Sequence, residues 1–219
     1  MNKLLFLSLI ALSISSASKN LILIGDSRYV GMAAYLIGIP YDGKNIRTTT
    51  PKGYSGYSIQ CTAQVSASYS TYAEGGELYQ SVINQLSSAQ ANTNVLLWLG
   101  INSVWAPEQT YNFYVKLAQK YPKLSFYAVA ITGVNEQRWP TVHNSSVRQF
   151  NSNLKSKLNG AGCPKNLKYA DILKNDNPTL IISSGKEVDI STASLSPDGL
   201  HYTKDGYYKL FFAMVAKIN

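Results

Sequence analysis

Four short segments carry side chains that could do chemistry together. The first is Gly25-Asp26-Ser27, which follows the apolar run Leu21-Ile22-Leu23-Ile24. The second is Gly53-Tyr54-Ser55-Gly56, the third Gly100-Ile101-Asn102, and the last Pro197-Asp198-Gly199-Leu200-His201. Between them they supply a hydroxyl, glycine backbone, a side-chain amide, an imidazole and a carboxylate. That is the inventory of acyl transfer: nucleophile, oxyanion donors, general base and a group that orients the base. A serine hydroxyl attacks poorly unless a neighbouring base takes its proton. His201 is the candidate base, because imidazole titrates near neutral pH. Asp198, three residues earlier, can reach the far ring nitrogen across one turn, fixing the tautomer and stabilising the imidazolium. Glycine backbone N–H groups and a side-chain amide are the kinds of donor that a developing oxyanion needs.

Each piece alone also has a plainer role. Ser27, between a strand and a helix, is a respectable N-cap. Asn102 suits a turn, and Asp198-Gly199 is an ordinary turn dipeptide. Asp26 reads as structural, bonding nearby backbone. The other histidine, His143, precedes a helical segment and has no carboxylate at useful spacing.

The elements that must position these residues alternate along the chain. Buried strands are expected at 20–25, 94–100 and 124–132, with further strands at 44–50 and 167–172. Helical spacing marks 28–38 (stopping at Gly38), 76–90, 107–121 (opening on a proline), 146–160 and 203–218. Residues 51–58 read as a glycine-punctuated loop, and 173–202 as mostly loop. Alternating strands and helices with short joints predict one α/β domain, a three-layer αβα sandwich around a mostly parallel sheet. Ligands of such sheets bind beyond the carboxyl ends of the strands, so the four segments can share one edge.

With those segments in order, the chain resembles the SGNH hydrolase superfamily, the GDSL-type esterases and lipases. Gly25-Asp26-Ser27 matches the first block, Gly56 the second, Gly100-x-Asn102 the third and Asp198-x-x-His201 the fifth, spanning residues 25–201. The resemblance implies a flavodoxin-like sheet of about five strands, a Ser27-His201-Asp198 triad and an oxyanion hole from Ser27, Gly56 and Asn102. Two positions depart from the pattern: Arg28 replaces the usual leucine, and Ser103 the Asp that often follows the third-block Asn.

Composition sets the remaining expectations. At 45% hydrophobic and 15% charged residues, the 219-residue chain reads as globular. The formal charge is +8, from lysines scattered along helical segments; these read as solvated faces, and no nucleic-acid motif accompanies them. Residues 1–17 look like a secretory signal peptide: Lys3, the apolar stretch Leu4 to Leu12, then Ser15-Ser16-Ala17. The domain would then occupy 18–219, in an exported monomer with no membrane span. Export makes a Cys61–Cys163 disulfide an expectation, and Asn144-Ser145-Ser146 a glycan acceptor where the host modifies exports. Neither a metal cluster nor a phosphate loop is apparent, so no cofactor is expected.

Sixteen tyrosines and three tryptophans include Tyr29, Tyr54, Tyr57, Trp98 and Trp105 near the four segments. Aromatic rings stack on sugars, although several are equally suited to packing the core. Arg28, Tyr57, Trp105 and Tyr202 are the candidate substrate contacts. The favoured substrate is a short acyl ester, above all an O-acetyl group, on a polysaccharide or cell-wall glycan. A lipid-directed esterase, an acyltransferase and a non-catalytic glycan-binding protein are the alternatives.

Overall fold

The structure is a computed structural model and describes residues 18–218; the expected signal segment, 1–17, lies outside the described residues. The chain enters through strand β1 (Lys19–Gly25), in which Leu21, Ile22, Leu23 and Ile24 are all buried. A strand apolar on both faces belongs in the middle of a sheet covered on both sides, and β1 lies there. Helix α1 (Ser27–Ile37) follows and stops at Gly38 in the left-handed conformation. Then come β2 (Asn45–Arg47), β3 (Lys52–Tyr54), β4 (Tyr57–Gln64), α2 (Tyr69–Tyr72) and α3 (Tyr79–Ser87). Next are β5 (Asn94–Trp98), α4 (Pro107–Lys120), β6 (Ser125–Val129), α5 (Asn144–Leu158) and β7 (Leu167–Ala170). Strands β8 (Leu173–Lys174), β9 (Asn177–Ser183) and β10 (Lys186–Asp189) precede the closing helix α6 (Lys204–Val215).

Five parallel strands run in the order β4-β1-β5-β6-β7, with β2 and β3 antiparallel against β4. That parallel order is flavodoxin-like, as expected. Helix α1 packs against α6, and α4 against α5 and α2. Right-handed crossovers place α1 and α6 on one face of the sheet and α3, α4 and α5 on the other. In register, Gly25 at the end of β1 stands between Ala63 of β4 and Trp98 of β5.

Three expectations are corrected here. The second parallel strand is β4, not 44–50, of which only β2 forms, at the edge. The segment 51–58 is not a loop but β3 and its turn into β4, with Ser55 and Gly56 both at positive φ. The stretch 173–202 contains a separate three-stranded antiparallel sheet, β10-β9-β8. Its turns are Asn175-Asp176 and Ser184-Gly185, all four residues at positive φ, the two-residue hairpin geometry that matches strand twist.

The disulfide also falls. Both cysteines are free thiols, Cys61 buried on β4 and Cys163 half-buried just before β7. Three strands separate β4 from β7, about 19 Å at ordinary strand spacing, whereas a disulfide needs Cα atoms within about 7 Å. Asn144 uses its side-chain amide structurally: Oδ1 accepts from Val134 N–H at 2.8 Å and Nδ2 donates to the Val134 carbonyl at 2.9 Å.

The α1–α6 contact is tight at one point. A Cβ on Gly31 would lie 2.1 Å from the Tyr207 hydroxyl and 2.4 Å from its ring carbon. Gly31→Ala should therefore separate the two helices and cost about 1–3 kcal/mol as an overpacked contact. Urea denaturation measures it; an unchanged midpoint would show that the helices yield freely there.

Candidate active site

Strand β1 ends at Gly25, and the chain turns at once into α1. Asp26 is the cap of that helix: its Oδ1 accepts from the Arg28 N–H at 3.0 Å. The cap belongs to Asp26, leaving Ser27, as the first helical residue, with its hydroxyl uncommitted to the helix. Burial pushes the Asp26 carboxyl upward in pKa, against the lowering effect of the nearby Arg28 cation and N–H. Its role is structural, as the sequence suggests.

The Ser27 Oγ lies 2.8 Å from His201 Nε2, and His201 Nδ1 lies 2.7 Å from Asp198 Oδ2. The other Asp198 oxygen accepts from the backbone N–H groups of Leu200 (2.8 Å) and His201 (2.6 Å). One carboxylate therefore fixes both the loop and the ring it carries. Partial burial works against the Asp198 charge, but these hydrogen bonds, led by the one from His201, outweigh it and lower its pKa. His143, exposed at the start of α5, takes no part.

The β6–α5 loop supports the base-bearing turn from behind. Asn135 N–H donates to the Gly199 carbonyl at 2.9 Å, and the Arg138 guanidinium donates to the Pro197 carbonyl. Gly199 has φ +86°, and a Cβ there would lie 2.6 Å from Arg138 Cβ, so turn and buttress both require glycine.

Arg28 is not a substrate contact. It is fully buried, and its guanidinium donates to the Thr132 carbonyl (2.7 Å), Thr132 Oγ1 (3.1 Å) and the Gly133 carbonyl (3.1 Å). Its charge lies between the rings of Trp98 and Tyr202, 5.7 Å from each centroid, a cation–π arrangement worth more once desolvated. Tyr202, directly after His201, closes the circuit: its hydroxyl is 2.8 Å from Thr132 Oγ1. The residues following Ser27 and His201 thus meet on one short piece of backbone.

Tyr57 is likewise no substrate contact; it is buried against Phe211, at the opposite end of the sheet from Ser27. Gly56 shares that wrong end. Its carbonyl accepts from Lys19 N–H at 3.0 Å where β1 begins, and the length of β1, about 20 Å, separates it from Ser27. Trp105 does lie at the carboxyl edge and is 78% exposed. Tyr29 and Trp98 belong to the core, and Tyr54 packs on Phe211.

On the carboxyl edge, Asn102 sits in a short 3-10 turn (Ile101–Ser103) after β5 and donates its amide to the Ala67 carbonyl at 2.9 Å. Ala67 follows β4, and β1 lies between β4 and β5. The bond therefore passes over the end of β1, where Ser27 stands. Beside it, Ser66 has φ +61°, and its N–H has no acceptor among the described residues. At this edge a serine, rather than a glycine, holds the left-handed position.

The cleft at Ser27 has a volume of about 520 Å³. Its walls include Tyr202 and three exposed residues sequence reading missed: Tyr35 (61% exposed), Tyr41 (49%) and Val65. Tyr35 stacks on Tyr207 with centroids 6.0 Å apart.

No family model matches the chain, and no curated protein does. Solved structures do share its fold. A protein from Streptococcus pneumonia, provisionally described as a platelet activating factor, superposes with TM-score 0.61 at 16% identity, covering 94% of this chain and 87% of its own. The lipase/acylhydrolase from Enterococcus faecalis gives TM-score 0.58 at 13% identity, covering 91% and 95%. An acetylxylan esterase from Geobacillus stearothermophilus gives TM-score 0.55 at 16% identity, covering 93% and 95%. The chain thus has the αβα fold on which these proteins are built.

Two outcomes follow for the site. Arg28→Leu should leave the Thr132 and Gly133 carbonyls buried without their donor and cost about 2–4 kcal/mol in urea denaturation. Arg28→Lys, which keeps the charge but loses the planar fork, should recover only part of that. Asp198 has a lowered pKa in the fold, so its stabilisation is present above its unfolded value and lost as pH falls through the folded one. Asp198→Asn should therefore melt below the parent at neutral pH, with the gap closing below about pH 4; a gap constant with pH would contradict this.

Proposed function

We propose that the protein is a serine esterase of the SGNH type. The observation carrying this is the continuous relay from Ser27 Oγ through His201 to Asp198, with both hydrogen bonds under 3 Å. The fold supports it, since it is shared with a lipase/acylhydrolase and an acetylxylan esterase. Catalytic mutants of the latter alter a serine, an aspartate and a histidine, the last two three positions apart, as Asp198 and His201 are here.

In this reading Ser27 Oγ attacks the ester carbonyl while His201 Nε2 takes its proton. Asp198 holds the proton-bearing Nδ1 and stabilises the imidazolium. The oxyanion is received by the N–H groups of Ser27 and Ser66 and the second Asn102 amide hydrogen, with Ser66 in the role first expected of Gly56. The tetrahedral intermediate collapses, and the leaving alkoxide takes the proton from Nε2. Water, deprotonated by the same nitrogen, then releases the acid and restores Ser27. No step calls for a cofactor.

The substrate we favour is an O-acetyl or other short acyl ester on a carbohydrate, acted on outside the cell after export directed by residues 1–17. The wide cleft, with Tyr35 and Tyr41 exposed along its wall, suits a sugar ring lying flat against aromatic faces. Trp105 and Tyr202 remain candidate contacts.

Ser27→Ala should reduce hydrolysis of p-nitrophenyl acetate by about 10⁴-fold or more while leaving the melting temperature near the parent's. Against the octanoate, the parent should prefer acetate by about tenfold in kcat/KM and should release acetate from acetylated xylan. A preference for the long chain would instead favour a lipid-directed esterase. Glycan binding with no hydrolysis by either protein would favour a binding module.

A further inference from the structure

A second concavity, of about 440 Å³, opens between α4 and the α2–α3 segment, and it shares no lining residue with the cleft at Ser27. Its apolar surface comes from ring faces: Tyr69 and Tyr79 half-buried at its sides, and Phe113 buried beneath. One wall is a polar stripe along α4, with Asn112, Lys116 and Lys120 spaced four residues apart and all exposed. Residues four apart stack on one helix face, so the amide and the two ammonium groups line the same side.

The two lysines that line this pocket are not among the chain's ion-paired lysines. Lys44, Lys155, Lys157 and Lys209 each form an ion pair with a carboxylate. Lys116 and Lys120 have no carboxylate partner among the described residues, although Glu74 also lines the pocket. Lys120 is instead held over the Tyr79 ring, 5.9 Å from its centroid. The pocket therefore presents aromatic rings beside two ammonium groups, with one carboxylate, Glu74, in the same lining. A neutral sugar would use the rings and leave the charge idle; a bare anion would use the charge and leave the rings idle. Only a ligand with both a flat apolar face and an anionic group uses the whole surface. A chain carrying a formal charge of +8 adds a long-range attraction for polyanions.

We propose that this pocket binds a carboxylate-bearing sugar residue, as found in an acidic polysaccharide. The ring stacks on Tyr79 and Tyr69, the carboxylate is bonded by Lys116 and Lys120, and Asn112 serves a ring hydroxyl. The site is separate from Ser27 and does not depend on the esterase reading. In the intact enzyme it would hold an anionic glycan chain close to the surface while esters are cleaved elsewhere on it.

Calorimetric titration of the Ser27→Ala protein with trigalacturonate and trimannuronate tests this, with galactotriose as a neutral ring and inorganic phosphate as a ringless anion. At least one uronate trimer should bind, and at least about tenfold more tightly than galactotriose or phosphate. The Lys116→Gln/Lys120→Gln double variant should lose about tenfold or more in that affinity, as expected for losing charge-assisted bonds. Tyr79→Ala should weaken it independently. The double lysine variant in the active background should hydrolyse p-nitrophenyl acetate at the parental rate, so loss of binding and loss of catalysis are read apart. Absence of uronate binding, uronate affinity unchanged in the double variant, or phosphate binding as tightly as the trimers would each overturn the proposal.

Discussion

A guanidinium buried with no carboxylate bonded to it must be satisfied by dipoles and rings, and Arg28, which also has the Asp26 carboxyl nearby, meets that requirement with nearly everything around it. Two carbonyls and a hydroxyl of Thr132–Gly133 take its hydrogen bonds, and Trp98 and Tyr202 cover its faces. Satisfying this one charge draws together the start of α1, the end of β6 and the loop ahead of α6. Those are the segments that carry Ser27, the buttress of the 197–201 turn, and His201. A leucine here could fill space but could not fix three backbone segments relative to one another. The network is incomplete: Arg28 Nε and Trp98 Nε1 are buried with no acceptor among the described residues.

The meeting of Ser27, His201 and Asp198 and the parallel sheet were legible because their signals are local and chemically distinctive. Leu21–Ile24 can only be a covered strand, and a serine at its end with a later Asp-x-x-His constrains the chemistry strongly. What escaped was set by neighbours distant in sequence. Strand β4, YSIQCTAQ, carries polar residues that look solvent-facing, yet Thr62 and Gln64 are buried, with Thr62 bonded to Gln85 and Gln64 to Glu77. Reading 44–50 as the second strand and 51–58 as the loop after it moved the glycine search to the wrong end of β4. Gly56, the match to the second block, lies at the far end of β4, while the positive-φ residue at the carboxyl edge is Ser66, and a positive-φ serine carries no mark in sequence. Arg28 and Tyr57 misled for a different reason: residue type suggests contact with substrate, while only packing reveals that both are sealed inside.

The separate sheet β8-β9-β10 was concealed by brevity and by Pro178, which argues against a central strand. Its two hairpin turns were the available signal, and they fall in a region otherwise read as loop. Export suggested a disulfide from compartment alone; strand order excludes it. Sheet topology is the property least available to local reading, and it decided both the missing bridge and the misplaced glycine.

Ser27 and His201, joined by a hydrogen bond, lie 174 residues apart in the sequence. Helix α1, bearing Ser27, is also covered by α6, which follows His201. During synthesis Ser27 therefore emerges with neither proton acceptor nor covering helix, and a domain of this kind completes its packing only when the last elements arrive. A chain broken off anywhere before residue 201 contains a serine without a base, however well its sheet begins to form. The fold thus makes the Ser27–His201 contact a property of the finished molecule, absent from every incomplete translation product that stops short of the last turn.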